Sequence, residues 1–120
     1  MNSPESDTPD ARLLVLGDAD FDAALSAADR PMLVDFHATW CPPCRALAPV
    51  IERLAESHAD HLRVASVDVD ASPALVERFG IASVPTLLLL RADTELDRLV
   101  GEIGATELAS RLERHLGSTT

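Results

Sequence analysis

The sequence contains no tyrosine and no lysine, and it has only one tryptophan and three phenylalanines. With so few aromatic rings, the interior must be built mainly from aliphatic side chains. Hydrophobic residues make up 47% of the 120 residues, which is enough for the core of one domain. The sequence has ten arginines and twenty acidic residues, so the formal net charge is −10. This charge disfavours binding to nucleic acid or to an anionic membrane surface, because like charges repel.

Long apolar runs are also missing, since none reaches the roughly 18 residues that a membrane-spanning helix needs. The first ten residues are polar and acidic and lack the charged and apolar regions of a secretory signal. We therefore expect a disordered acidic tail over residues 1–10, one domain over residues 11–117, and a monomeric protein in the cytoplasm.

Cysteine is scarce, and two cysteines exclude a framework of several disulfides. Both occur in the segment Asp35-Phe36-His37-Ala38-Thr39-Trp40-Cys41-Pro42-Pro43-Cys44-Arg45. An apolar run precedes this segment and a helical pattern follows it, so the cysteines lie at a predicted strand-to-helix junction. In a cytosolic protein, such a pair is more often catalytic or metal-binding than structural.

The remaining patterns predict the element order β-α-β-α-β-α-β-β-α, which is an α/β fold. We predict helix caps at Asp18 or Asp20, at Ser72 before Pro73, and at Thr106. Predicted strands cover residues 12–16, 32–38, 62–69, 84–90 and 95–100, with the last one near an edge because it is more polar.

Two cysteines separated by two residues allow a two-step exchange. A thiolate at Cys41 would be stabilised by the helix start, and Cys44 can reach it without chain rearrangement. Cys41 would attack a substrate disulfide, and Cys44 would then attack Cys41 and release the reduced substrate. One alternative is inert core cysteines, and another is a zinc site with two ligands from His37, His58, His61 or His115. His58 and His61 have a ligand spacing, but about sixteen helical residues at roughly 1.5 Å each place them over 20 Å away.

Asp35 stands out because a carboxylate inside an apolar strand is costly to bury. Burial should raise its pKa, so it could take the proton from Cys44 through a water molecule. The alternative is a structural residue whose carboxylate is hydrogen-bonded to neighbouring backbone. Spacing alone does not separate these two interpretations.

Together these residues resemble the thioredoxin family over about residues 11–117. The resemblance is carried by residues 34–44, by Pro49 in the following helix, by Val84-Pro85-Thr86 and by Val100-Gly101. It implies a thioredoxin fold, with a central mixed β-sheet flanked by helices on both faces. It also implies a protein-disulfide reductase that works through a redox-active Cys41–Cys44 disulfide, with Asp35 as a buried catalytic acid.

The resemblance further implies a cis proline at position 85 and a substrate strand that pairs with the backbone of Val84. The implied substrate-binding surface consists of Trp40, Pro42, Val69, Val84, Pro85 and Gly101. The implied partners are proteins with disulfides and a thioredoxin reductase, either NADPH-dependent or ferredoxin-linked. No bound cofactor and no metal are implied.

Several residues depart from the usual family pattern. Pro42 replaces the usual glycine, and because related folds with proline there include oxidants, we predict a less reducing couple. His37 replaces a common tryptophan, and we predict that it modulates the site through a hydrogen bond to Asp70. Ser66 replaces a common lysine near Asp35, which should raise the pKa of the acid. Alternative functions are disulfide oxidation or isomerisation, or a redox-independent binding or co-chaperone module.

Overall fold

The computed structural model describes residues 12–117, so the predicted tail, residues 1–10, lies outside the described residues. The strands are β1 (Leu13–Leu16), β2 (Met32–His37), β3 (Arg63–Asp68), β4 (Thr86–Arg91) and β5 (Thr94–Val100). The helices are α1 (Phe21–Ala27), α2 (Pro42–Ser57), α3 (Pro73–Phe79) and α4 (Ala105–Leu116), and a 3-10 turn covers Val69–Ala71. Within residues 12–117, no helix has the length and apolar character needed to cross a membrane.

The five strands form one mixed sheet in the order β1-β3-β2-β4-β5. β3 pairs in parallel with both β1 and β2, whereas β4 pairs antiparallel with β2 and with β5. The central strand β2 is buried along nearly its whole length, as expected for a strand covered on both sides. The mixed sheet and its helices confirm the predicted α/β class. The more polar β5 lies at an edge of the sheet, which confirms the predicted position of the last strand.

Helices cover both faces of this sheet. On one face, Leu33 packs with buried residues of α2 and α4, including Ile51 and Leu108. On the other face, Phe36 packs with α1 and α3, and Phe21 belongs to the same cluster. Alternate side chains of β2 pack into the hydrophobic clusters on the two faces of the sheet. This alternation fixes the register of the strand that precedes the cysteine segment.

The predicted cap of α1 is wrong, and the correction explains how α3 begins. The Asp20 carboxylate accepts a hydrogen bond from the Gly17 N–H instead of capping its own helix. The Asp18 carboxylate accepts hydrogen bonds from the N–H groups of Ala74 and Leu75, at 3.1 and 3.0 Å, and therefore caps α3. This contact is between residues 56 and 57 positions apart, so a local sequence pattern does not reveal it.

Ser72 and Pro73 occupy the N-cap and the first helical position of α3, as predicted, but the Ser72 side chain makes no capping hydrogen bond and its buried Oγ has no partner among the described residues. The predicted cap at Thr106 is wrong. Thr106 lies inside α4, whose N-cap is Gly104 in an extended conformation. The predicted stop of α3 is confirmed, because Gly80 has the left-handed angles φ 63° and ψ 45°.

Candidate active site

The two cysteines lie at the start of α2, directly after the central strand. Cys41 is the N-cap residue, and Pro42 and Pro43 occupy the first two helical positions. Proline suits these positions because the first N–H groups of a helix have no intrahelical partner. Cys41 and Cys44 are joined by a disulfide with their Cα atoms 5.2 Å apart, and the Cys44 N–H donates to Cys41 Sγ at 3.2 Å.

Both cysteines are nearly buried, at 3% and 4% exposure. They pack with Ala38, and the half-buried Val69 and Val84 lie against the same cluster. Cys41 Sγ is 3.8 Å from the Val84 carbonyl oxygen. The Val84–Pro85 peptide bond is cis, as predicted. The contacts of Val84 place the loop before β4 beside the disulfide.

Asp35 lies within the central strand β2 and is 4% exposed. Its Oδ1 atom is buried and has no hydrogen-bond partner among the described residues. Loss of hydration raises the pKa of Asp35 to about 7, because burial disfavours the charged carboxylate. An acid with this pKa can gain and lose a proton near neutral pH.

A cavity of about 340 Å³ connects Asp35 with only one of the two cysteines. It lies between β2 and α2, and both Asp35 and Cys44 line it, whereas Cys41 does not. His37 and Ser66 also line it. A cavity of this size can hold a water molecule, which the predicted proton transfer between Cys44 and Asp35 requires.

Cys41 instead adjoins the opposite side, where an apolar groove of about 160 Å³ lies. Trp40, Val69 and Val84 line this groove, which brings together three of the predicted substrate-binding residues. Trp40 is 63% exposed, unusually high for a large apolar side chain. Four residues that the sequence did not single out complete the lining: Val76, Ile81, Ala82 and Ser83. Of these, Val76 is an apolar residue in the last turn of α3 and Ile81 directly follows the Gly80 stop, so an apolar residue after a helix-ending glycine is the signal that could have suggested Ile81.

The other three predicted substrate-binding residues do not line this groove. Pro42 is exposed on the first turn of α2, and Pro85 is buried. Gly101 donates its N–H to the Pro85 carbonyl oxygen at 3.0 Å and has a positive φ of 95°. Gly101 therefore holds the end of β5 against the cis-proline loop, in a conformation that favours glycine.

The predicted hydrogen bond between His37 and Asp70 is wrong. Asp70 Oδ2 accepts from Trp40 Nε1 at 2.7 Å, on the groove side of the site. His37 points into the cavity on the other side, with Asp35. The 3-10 turn Val69–Ala71 that follows β3 places Asp70 beside Trp40, and the predicted strand over residues 62–69 had included the first residue of this turn.

No group of three or more His, Cys, Asp or Glu side chains within residues 12–117 is arranged to hold a metal ion. His58 is the C-cap of α2, at the helix end opposite the cysteines. The pair His58 and His61 therefore lies at the other end of α2 from Cys41 and Cys44.

A mixed sheet with helices on both faces, a disulfide at a helix start and a cis proline beside it together define a thiol–disulfide oxidoreductase. The sequence matches the family model described as Thioredoxin over residues 12–114. The chain belongs to the thioredoxin family, and the Cys41–Cys44 pair makes it a protein-disulfide reductase. The resemblance carried by the cysteine segment is thus confirmed.

Curated relatives agree with this assignment over most of their length. The chain is 43% identical to a thioredoxin of Alicyclobacillus acidocaldarius over 99 residues, which covers 82% of this chain and 93% of the relative. It is 38% identical to thioredoxin 1 of Synechococcus elongatus, with 82% and 92% covered. It is 37% identical to a thioredoxin of Mycobacterium bovis over 107 residues, with 89% and 92% covered.

Proposed function

We propose that this protein reduces disulfides in other proteins with Cys41 as the attacking sulfur and Cys44 as the resolving sulfur. One observation carries this division of roles. Cys41 adjoins the apolar groove and the Val84 carbonyl, whereas Cys44 lines the cavity that contains Asp35. The substrate therefore approaches one sulfur, and the proton acceptor serves the other.

In the reduced protein, the Cys41 thiolate attacks a substrate sulfur, the substrate S–S bond breaks, and one substrate thiolate leaves. The Cys44 N–H, which lies 3.2 Å from Cys41 Sγ in the disulfide form, can stabilise the thiolate. Cys44 then attacks Cys41, its proton passes to Asp35, and the mixed disulfide breaks as the second substrate thiolate leaves. The products are the Cys41–Cys44 disulfide and a reduced substrate.

The groove supplies the recognition surface for the substrate. Trp40 presents an exposed ring whose orientation is held by Asp70, and Val69 and Val84 extend the apolar surface to the disulfide. An extended substrate segment would pair with the backbone of Val84, next to the cis Pro85. Backbone pairing is independent of side-chain identity, so we expect a range of protein substrates.

A second protein must return electrons to the disulfide. We propose a thioredoxin reductase, NADPH-dependent or ferredoxin-linked, as this partner. We place the cycle in the cytoplasm, where dithiols are kept reduced.

The test is insulin reduction with NADPH and thioredoxin reductase, followed as NADPH consumption. The wild type should turn over, and Cys41→Ser should not. Because the chain has only two cysteines, Cys44→Ser leaves a single thiol and should stop after forming a mixed disulfide. If Cys41→Ser retains the protein's function, the protein acts instead as a redox-independent binding module.

A further inference from the structure

In the proposed cycle, the resolving step leaves a proton on a nearly buried acid. Asp35 is 4% exposed and its Oδ1 atom lacks a partner. Each oxidation of the dithiol delivers a proton to this acid, and each reduction takes one back. A group that exchanges protons with both Asp35 and solvent would complete the cycle.

His37 occupies the position that such a group requires. It lies two residues after Asp35 on β2, so both side chains are on the same face of the strand, with Cα atoms roughly 6.6 Å apart. Both line the cavity that contains Cys44. Asp35 is buried, whereas His37 is half-buried at the end of the strand and so reaches towards solvent.

We propose that His37 carries the proton between Asp35 and solvent through this cavity. The inference rests on the proposed role of Asp35 as acceptor of the Cys44 proton. Protonated Asp35 gives its proton, through cavity water, to one nitrogen of the neutral imidazole, and the resulting imidazolium releases a proton to solvent from the other nitrogen. No electrons move in this transfer. His37 acts through Asp35 and does not touch the reacting sulfurs.

The other charged groups around the cavity are less suited to this transfer. Asp68 pairs in register with His37 on β3, and its Oδ1 already accepts from the Asp70 N–H. Arg45, which lies on α2, donates to the Thr39 carbonyl and has no basic atom to offer. Glu52, also on α2, lines the cavity but is exposed to solvent, whereas His37 lies on the same strand as Asp35. An imidazole is the side chain that ordinarily gains and loses protons between pH 5 and 8.

The resolving step can be observed by itself with an aromatic disulfide, dithiobis(nitrobenzoate), which releases one coloured thiolate at each step. The first phase depends on reagent concentration and reports attack by Cys41. The second phase is independent of concentration and reports attack by Cys44. Burial raises the pKa of Asp35, to about 7 in the disulfide form. More Asp35 therefore carries a proton before the reaction at pH 6 than at pH 8.5, and that proton must leave before Asp35 can accept another.

We expect His37→Gln to slow the second phase about tenfold at pH 6 and less than twofold at pH 8.5, because a relay contributes less than a direct general base. Added imidazole should restore the pH 6 rate of His37→Ala to within about twofold of the wild type. His61→Gln, the same change at an exposed histidine beyond α2, should have no effect. In an Asp35→Asn background, His37→Gln should cause no further loss.

A loss that is equal at both pH values, resists imidazole and persists with Asp35→Asn would show a structural role and overturn the proposal. If the rate of the second phase is unchanged in His37→Gln and in His37→Ala, the proposal is overturned, while the Cys41–Cys44 cycle stands. If Asp35→Asn by itself leaves the second phase unchanged, the acceptor role of Asp35 fails, and the relay fails with it.

Discussion

Replacing Asp35 with asparagine should stabilise the oxidised protein at high pH and change its stability little at low pH. In an unfolded chain an aspartate ionises near pH 4, whereas burial raises the pKa of Asp35 to about 7 in the folded protein. The folded state therefore binds the additional proton between these pH values. Its stability must fall as the pH rises through this window, because ionising Asp35 then opposes folding.

The size of the effect follows from the shift. A rise of about three pKa units corresponds to about 4 kcal/mol of unfolding free energy above pH 7. Asp35 is 4% exposed, so solvent screens this penalty little. Asparagine has nearly the same shape and no charge, so it removes the pH-dependent penalty.

Urea denaturation of the oxidised wild type and of Asp35→Asn at pH 4.5 and pH 8.5 measures this penalty. The stability difference between the two proteins should grow in favour of the variant by about 4 kcal/mol between the two pH values. Asp93→Asn, at an exposed turn position, makes the same chemical change and should show little such growth. A stability difference that is equal at both pH values would refute the assignment of Asp35 as a desolvated acid.

Three further predictions concern other contacts. Asp18→Ala should lower the unfolding free energy by about 1 kcal/mol in urea denaturation, because it removes the cap of α3. Ser72→Ala should be neutral or stabilising, because the Ser72 hydroxyl has no partner among the described residues. Equal losses in the two variants would contradict the assignment of Asp18 as the cap. Arg111→Ala should cost about 2 kcal/mol at pH 7, because Arg111 makes two hydrogen bonds to Asp97 and holds the pKa of that carboxyl well below its usual range. This stabilisation is present above pH 4 and is lost as the pH falls further, so the cost should shrink in acid unfolding curves; a cost that does not change with pH would argue against the ion pair. Pro42→Gly should make the midpoint potential more negative in a titration against glutathione, whereas a more positive potential would show that the added N–H donor near Cys41 dominates.

The elements that the sequence predicted well depend on short-range patterns. Met32 to Phe36 is apolar at every position except Asp35, which by itself indicates a strand buried on both faces. The cysteine spacing and the two prolines identify the start of α2. Gly80 marks the end of α3 because its backbone conformation is one that other residues rarely adopt.

The predictions that failed depend on contacts between distant segments. Asp18 caps α3 rather than α1. Asp70, in the turn after β3, accepts a hydrogen bond from Trp40 rather than from His37. A carboxylate accepts from whichever N–H group the tertiary structure brings near it, so a local capping pattern identifies the donor or acceptor but not its partner. The placement of Cys41 and Cys44 toward two sides of the site is also a tertiary property, because only two residues lie between them and the sequence does not show which elements surround each sulfur.

The division of labour between the two sulfurs is tested most directly by trapping the mixed disulfide. Reduced Cys44→Ser and reduced Cys41→Ser, each with one thiol, are mixed with a disulfide-containing protein such as insulin, and the products are weighed by mass spectrometry under denaturing, non-reducing conditions. We predict a stable covalent adduct through Cys41 in the Cys44→Ser variant and no comparable adduct in the Cys41→Ser variant. Equal adducts through either cysteine, or an adduct through Cys44 alone, would contradict the assignment of Cys41 as the attacking sulfur.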